Sequence, residues 1–129
     1  MIKYVLIDDD QISNLLHQEV LRQVDPGAEV KVFSSSLHGL DMLKEVITSG
    51  ENIPQYLFLD IRMPEMDGIT ATQHIRAMNL QKQPFILALT ANAFTSDKER
   101  CLQAGMNDFL SKPFAFEQIK DKTLHYLAV

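Results

Sequence analysis

The sequence of 129 residues lacks the features that mark secreted, disulfide-linked or membrane-spanning proteins. It has a single cysteine, so no disulfide can form within the chain, and it has no tryptophan. Its longest uninterrupted apolar run extends from Phe85 to Leu89, far short of the roughly 20 residues that a membrane-spanning helix needs. The N-terminal segment is seven residues long and is followed by three aspartates, so it is too short and too acidic for a signal peptide. We therefore expect a cytoplasmic protein without membrane insertion.

A basic cluster is also absent, since the chain carries a net charge of −5 at pH 7. Nucleic-acid backbones are bound mainly by clustered Lys and Arg, so direct binding of nucleic acid is not expected. Apolar residues make up 46% of the chain and charged residues 22%, which is ordinary for a globular protein. The length predicts a single domain over residues 1–129.

Short apolar stretches alternate along the chain with segments of helical periodicity. Three of the stretches are continuously apolar, as is typical of strands covered on both faces of a parallel sheet. The five predicted strands are Tyr4–Ile7, Glu29–Phe33, Tyr56–Leu59, Phe85–Leu89 and Asp108–Leu110.

Apolar residues at steps of three and four predict a helix in each gap between strands. The first helix is marked by Ile12, Leu15, Leu16, Val20 and Val24. A fifth helix over Phe116–Leu127 finishes the chain, so no output domain is expected. Five successive strand–helix units predict an α/β fold with a mostly parallel sheet and right-handed crossovers.

Polar residues follow the predicted strands at their carboxyl ends, where open parallel sheets bind ligands. Asp8, Asp9 and Asp10 follow the first strand, and single residues follow three others: Asp60, Thr90 and Lys112. If the first and third strands are neighbours, at least three carboxylates converge and repel one another unless a cation neutralises them. Carboxylate oxygens favour Mg²⁺ or Mn²⁺.

An aspartate beside such a cation can attack phosphorus and form an aspartyl phosphate. Lys112 would then balance the charge of the phosphoryl oxygens, and Thr90 could donate a hydrogen bond to them. Taken singly, each residue has an ordinary explanation: the aspartates can cap a helix, Asp60 can belong to a turn, and Lys112 can be a solvated surface charge. Their shared position after strand ends favours the functional interpretation.

At this point the sequence resembles a response-regulator receiver domain over essentially its whole length. The similar segments occur in the order and at the spacing of that family: Val5–Asp10, Leu57–Gly68, Ala88–Ala91 and Ser111–Phe114. The resemblance implies a doubly wound, flavodoxin-like parallel sheet of five strands in the order 2-1-3-4-5.

The resemblance also implies roles for individual residues. Asp60 resembles the phospho-accepting aspartate, Asp9 the direct metal ligand, and Asp8 its neighbour that acts largely through water. The backbone carbonyl of Arg62 would be the third ligand from the chain. A shifted pair of Asp9 and Asp10 is the alternative register for the metal-binding aspartates.

Four further positions correspond to family positions near the phosphoryl site. Thr90 resembles the switch hydroxyl and Lys112 the phosphate-binding lysine, whose bond to Pro113 is cis in the family. Phe109 resembles the switch aromatic residue, which is often tyrosine, and we expect switching to survive the loss of that hydroxyl. Asn92 occupies one of two positions that tune hydrolysis in the family.

The function implied is that of a phospho-accepting receiver in a two-component system or phosphorelay, which takes a phosphoryl group from a sensor histidine kinase or a histidine phosphotransfer protein. Such a domain is a switch that catalyses only its own phosphorylation and dephosphorylation, and it then binds a downstream protein target or a second copy of itself. A phosphate-independent binding module is the main rival, and the intact Asp8, Asp9, Asp60, Thr90 and Lys112 disfavour it. A phosphohydrolase would want an acidic residue at position 62, where this chain has Arg.

The histidines are not expected to be phosphodonors or ligands, and the cysteine is not expected to be a reactive thiol. His17, His38, His74 and His125 fall in helical stretches away from the strand ends and are interpreted as surface or packing residues. Cys101 is interpreted as a small core residue.

Overall fold

The apolar stretches form one parallel sheet in a computed structural model, which describes residues 2–49, 54–80, 82–91, 97–115 and 117–119. The sheet has five strands in the order β2-β1-β3-β4-β5, and each pair of neighbours is parallel. In chain order the strands are β1 (Ile2–Ile7), β2 (Glu29–Phe33), β3 (Tyr56–Asp60), β4 (Phe85–Thr90) and β5 (Asp108–Ser111). The flavodoxin-like α/β fold with strand order 2-1-3-4-5 is thus confirmed.

Helices connect the strands as the periodicity predicts. Within the described ranges they are α1 (Gln11–Val24), α2 (Ser36–Ser49), α3 (Gly68–Ala77) and α4 (Asp97–Ala104). Of the predicted fifth helix, residues 117–119 are helical, and the rest of that segment lies outside the described residues. No helix in the described part of the chain combines the length and the apolar character needed to cross a membrane.

Side chains alternate along the strands between two apolar clusters, one on each face of the sheet. In β1, Tyr4 and Leu6 belong to one cluster. Val5 and Ile7 belong to the other. Because helices cover both faces, every residue of β3 is buried, which explains why this strand reads as a continuous apolar run up to Asp60. Cys101 is buried in the core, as predicted.

Helix α1 turns only part of its predicted apolar stripe toward the sheet, since Val20 and Val24 are half-buried against the core while the rest of the stripe is exposed. Ile12, Leu15 and Leu16 are exposed by 78%, 68% and 48%. The buried residues of α1 are Asn14, His17 and Leu21. A polar side chain can be buried when it is hydrogen-bonded, and the Asn14 amide donates to the carbonyl oxygen of Asp8 at 2.7 Å. Periodicity therefore identifies the helix without revealing which stripe meets the sheet.

Helix α3 begins in close contact with the end of β3. The Asp67 side chain caps the helix by accepting a hydrogen bond from the backbone N–H of Thr70 at 2.8 Å. The backbone N–H of Gly68 donates to the Ile61 carbonyl at 3.1 Å. A Cβ atom on Gly68 would overlap the Asp60 carbonyl oxygen and lie 2.9 Å from the Ile61 Cα. Glycine is therefore required where α3 meets the backbone of Asp60.

We expect Gly68→Ala to lower the free energy of unfolding by about 1–3 kcal/mol, because the added methyl group forces a shift of packed backbone. Gly27→Ala is the matched control, since a Cβ there would meet nothing within 4 Å. Urea unfolding of both variants measures the difference. Equal stability of the two variants would show that the contact of Gly68 with Asp60 is not tight.

Candidate functional site

Three carboxylates meet at the carboxyl ends of β1 and β3. The two strands are paired so that Ile7 lies opposite Leu59, which brings the next residues of each strand together. One ligand oxygen from each of Asp8, Asp9 and Asp60 can be chosen so that all lie within 4.8 Å of one another. Asp8 and Asp60 are buried, with 0% and 4% of their surface exposed, whereas Asp9 is exposed. The cluster is thus open to solvent on one side only.

Asp10 has a separate structural role. Its side chain accepts hydrogen bonds from the backbone N–H groups of Ile12 at 3.0 Å and Ser13 at 3.4 Å, and so caps α1. These two hydrogen bonds lower the pKa of Asp10. The capping explanation therefore holds for Asp10, while Asp8 and Asp9 are the members of the cluster among the described residues.

Lys112 links the two buried carboxylates. Its Nζ lies 2.9 Å from Asp60 Oδ2 and 3.2 Å from Asp8 Oδ2. Lys112 also begins the loop that follows β5, residues 112–115, which we call the Lys112 loop. The Lys112 backbone N–H donates to the Thr90 carbonyl at 2.8 Å, which ties the start of the loop to the end of β4. The peptide bond between Lys112 and Pro113 is cis, as predicted.

Burial dominates the electrostatics of the cluster. It raises the pKa of Asp60 to about 6, against the opposing effect of hydrogen bonds from the Arg62 backbone N–H and from Lys112. Burial alone would lower the pKa of Lys112, but its contacts with Asp60 and Asp8 outweigh burial and raise it. One ammonium faces three carboxylates, so the site has an excess of two negative charges when all are ionised.

This donor set fits a small hard cation. Its side-chain ligands are carboxylate oxygens, with neither sulfur nor imidazole in the cluster that the described residues form. Mg²⁺ and Mn²⁺ favour such oxygen ligands and keep several waters, which the exposed side at Asp9 can admit. A divalent cation would also match the two excess negative charges.

The remaining predicted site residues differ in burial and in what they contact. Thr90 is buried at the end of β4, and Phe109 is half-buried in β5. The ring of Phe109 lies under the Lys98 Nζ, 4.5 Å from its centroid. The Arg62 side chain is exposed, and its backbone N–H donates to Asp60 Oδ1 at 3.1 Å. Asn92 lies outside the described residues.

The sequence interpretation gave no role to Asn14 and treated His17 only as a surface or packing residue. Both are buried on the face of α1 that meets the site, and His17 is indeed a packing residue. His38 and His74 are exposed helical residues, and His125 lies outside the described residues. In the sequence, positions 14, 17 and 21 share one face of the helix, and two of these three residues are polar. This spacing was the available signal for a polar inward face.

Comparison with known proteins shows one family over most of the chain. The family model for the response regulator receiver domain matches residues 5–124. The chain is 36% identical over 122 residues to hybrid signal transduction histidine kinase L of Dictyostelium discoideum, covering 92% of this chain and 7% of that protein. The chain spans between 5% and 15% of the length of the eight curated relatives compared with it.

Solved structures show the same architecture. The chemotaxis protein CheY4 of Vibrio cholerae has a TM-score of 0.80 at 25% identity, with 98% of each chain covered. The receiver domain of sensor histidine kinase PA1611 from Pseudomonas aeruginosa PAO1 has a TM-score of 0.76 at 29% identity, with 100% of each chain covered. That crystal structure has a magnesium ion coordinated in its active site cleft.

We expect Asp60→Asn to raise the free energy of unfolding by about 2 kcal/mol at pH 7.5 in EDTA, because it removes an ionised carboxylate whose charge is disfavoured by folding. The pKa of Asp60 rises from 3.8 to about 6 on folding, so its unfavourable contribution develops as the pH rises through this window. The gain should vanish at pH 4. Urea unfolding at the two pH values, with exposed Asp41→Asn as control, tests this. A destabilised Asp60→Asn protein at pH 7.5 would contradict it.

Proposed function

The chain belongs to the response regulator receiver domain family, and from this premise we propose that Asp60 accepts a phosphoryl group from a phosphohistidine. The observation that carries the proposal is the contact of one ammonium, Lys112 Nζ, with Asp60 and Asp8 in a cluster that also includes Asp9. A nucleophilic carboxylate, a cation site and a phosphate-binding lysine are thereby adjacent. Receiver domains of this family are phosphorylation-controlled switches.

In the proposed step a carboxylate oxygen of Asp60 attacks phosphorus, and the P–N bond of phosphohistidine breaks as the new P–O bond forms. The electron pair of the broken bond returns to the imidazole nitrogen of the donor. Asp8, Asp9, Asp60 and the Arg62 carbonyl would hold Mg²⁺, or Mn²⁺ in its place, which offsets the charge of the phosphoryl oxygens when bound.

Lys112 and Thr90 complete the site in this proposal. The Lys112 ammonium already lies at the nucleophile and donates to the phosphoryl oxygens once they are attached. The Thr90 hydroxyl donates to the same group from the end of β4. The chain thereby catalyses its own phosphorylation and its own dephosphorylation, in which water attacks phosphorus and the bond from phosphorus to the Asp60 oxygen breaks, with no other substrate.

Phosphorylation changes the packing of β5 against α4. Recruitment of Thr90 vacates space into which Phe109 turns, and the contact of its ring with Lys98 on α4 changes. The surface formed by α4 and β5 then gains affinity for a downstream protein target or for a second copy of the chain. A phenylalanine can perform this packing change without a hydroxyl.

Helix α1 offers a docking surface for the phosphohistidine donor. Ile12, Leu15 and Leu16 form an exposed apolar patch, the α1 patch, and clustered apolar exposure is a mark of protein interfaces. Helix α1 begins directly after its cap Asp10, which follows Asp9. The α1 patch therefore begins three positions after a member of the cluster. A donor must place its histidine at that cluster, and we assign the α1 patch to the same donor protein.

Incubation with acetyl phosphate and Mg²⁺ should add the mass of one phosphoryl group to the wild-type chain. Asp60→Asn should remove this gain because the nucleophile is lost. Asp10→Asn is the matched control, because asparagine is an equally good helix cap and should keep the gain. Intact-protein mass spectrometry measures all three. A wild-type chain of unchanged mass, or a phosphorylated Asp60→Asn chain, would contradict the proposed function.

Leu15→Ser should lower kcat/KM for phosphotransfer from a phosphorylated histidine phosphotransfer protein about tenfold, a cost of about 1.4 kcal/mol. The donor is chosen as the fastest of a panel of purified phosphotransfer proteins. Leu102→Ser, which alters an exposed leucine on α4, is the control. Phosphorylation by acetyl phosphate should be unchanged in both variants. Equal losses in the two variants would contradict docking on the α1 patch.

A further inference from the structure

The ring of His17 is enclosed between α1 and the loop that follows Lys112. His17 is fully buried, and its ring stacks on Phe114 with centroids 3.9 Å apart and planes inclined by 14°. Phe114 in turn stacks on Phe58, with centroids 5.5 Å apart. Since Phe58 lies two residues before Asp60 in β3, this aromatic stack connects α1 and the Lys112 loop to the strand that bears the nucleophile.

A hydrogen bond also orients the His17 ring within the stack. The backbone N–H of Phe114 donates to His17 Nε2 at 3.4 Å, so this nitrogen acts as the acceptor and the ring proton resides on Nδ1. Burial lowers the pKa of His17 to about 4, which keeps the ring neutral at physiological pH and Nε2 available. His17 therefore presents an acceptor, in a fixed orientation, to the backbone two residues after Lys112.

The Lys112 loop is thus held at two points. The N–H of Lys112 donates to the Thr90 carbonyl at the end of β4, and the N–H of Phe114 donates to His17 on α1. On the same face of α1, one turn earlier, the Asn14 amide donates to the Asp8 carbonyl at 2.7 Å. One face of α1 therefore contacts the backbones that carry both partners of the Lys112–Asp8 ion pair.

Each of these two side chains has a second polar atom, which is buried on the same face of α1. His17 Nδ1 and Asn14 Oδ1 are buried and have no hydrogen-bond partner among the described residues. One is a donor and the other an acceptor, and they lie three positions apart on the same helix. Buried polar atoms of this sort carry a cost, and a purely apolar pair at these positions would avoid it. The other polar atom of each side chain is bonded to backbone near the site, that of Asn14 to Asp8 and that of His17 to Phe114.

We propose that His17 is a positioning residue for phosphoryl transfer, which through Phe114 holds Lys112 in reach of Asp8 and Asp60, with Asn14 fixing the Asp8 backbone from the same helix. The inference rests on the proposed function and extends it to a residue outside the cluster. Lys112 has a flexible stem of four carbons, and positioning of a donor within a fraction of an ångström governs its contribution to the rate.

The test is the rate of phosphorylation by saturating acetyl phosphate and Mg²⁺ in variants of His17. His17→Phe keeps a ring against Phe114 but removes the acceptor, and we expect a five- to tenfold lower rate. The dissociation constant for Mg²⁺ should change less than twofold, because Asp8, Asp9 and Asp60 are untouched. His17→Gln, whose amide is flat and can accept from the Phe114 N–H, should keep at least half of the wild-type rate.

A double-mutant cycle separates positioning from general destabilisation. In a Lys112→Ala background, His17→Phe should cause no further loss of rate, because the group that it positions is gone. His74→Phe, at an exposed histidine of α3, is the matched control and should behave as wild type. Hydrogen exchange of the Phe114 amide, faster in His17→Phe than in wild type, reports the lost contact independently of activity.

Three results would overturn the inference, and they are distinguishable. If acetyl phosphate phosphorylates the wild type and His17→Phe at the same rate, His17 has no positioning role and the proposed function stays intact. Equal losses in the wild-type and Lys112→Ala backgrounds show that His17 acts on something other than Lys112. A wild-type chain that acetyl phosphate cannot phosphorylate removes the proposed function and this inference with it.

Discussion

The repulsion among three carboxylates at one end of the sheet is the constraint on which the rest of the structure depends. Two of them, Asp8 and Asp60, are withdrawn from water, and the single ammonium of Lys112 leaves the negative charge in excess. Burial of a charged carboxylate is costly, and the raised pKa of Asp60 expresses that cost, with burial as its main cause and the charge of Asp8 as a smaller one. A site of this kind gains stability from a divalent cation and from a group that spreads the charge.

The fold supplies the means of holding such a site together. Strand order 2-1-3-4-5 places the ends of β1 and β3 side by side. Gly68 allows α3 to approach the backbone of Asp60, and the cap on α1 leaves Asp10 outside the cluster. The ends of β4 and β5 bring Thr90 and Lys112 to the same edge. The charged centre is thereby built from residues at the ends of four strands of one sheet, and sites on strands and helices are held more precisely than sites on loops.

Sequence patterns were sufficient for the five strands and for a parallel α/β class, because continuous apolar runs predict covered strands. The neighbouring positions of the first and third strands were implied only by the resemblance to receiver domains, and that order unites Asp60 with Asp8 and Asp9. The face of α1 could not be predicted in this way, since its stripe of Ile12, Leu15 and Leu16 points outward. Periodicity reports a helix, and only tertiary contacts reveal that a histidine stacked on Phe114 fills the inward face.

The central claim is that Asp8, Asp9 and Asp60 share one divalent cation, and anomalous diffraction from crystals soaked in Mn²⁺ tests it most directly. The account predicts a single strong peak at the carboxyl ends of β1 and β3, with oxygens of Asp9 and Asp60 at about 2.1 Å. Lys112 Nζ should retain its position beside Asp60. Mn²⁺ bound at other carboxylates while this cluster stays empty would contradict the account.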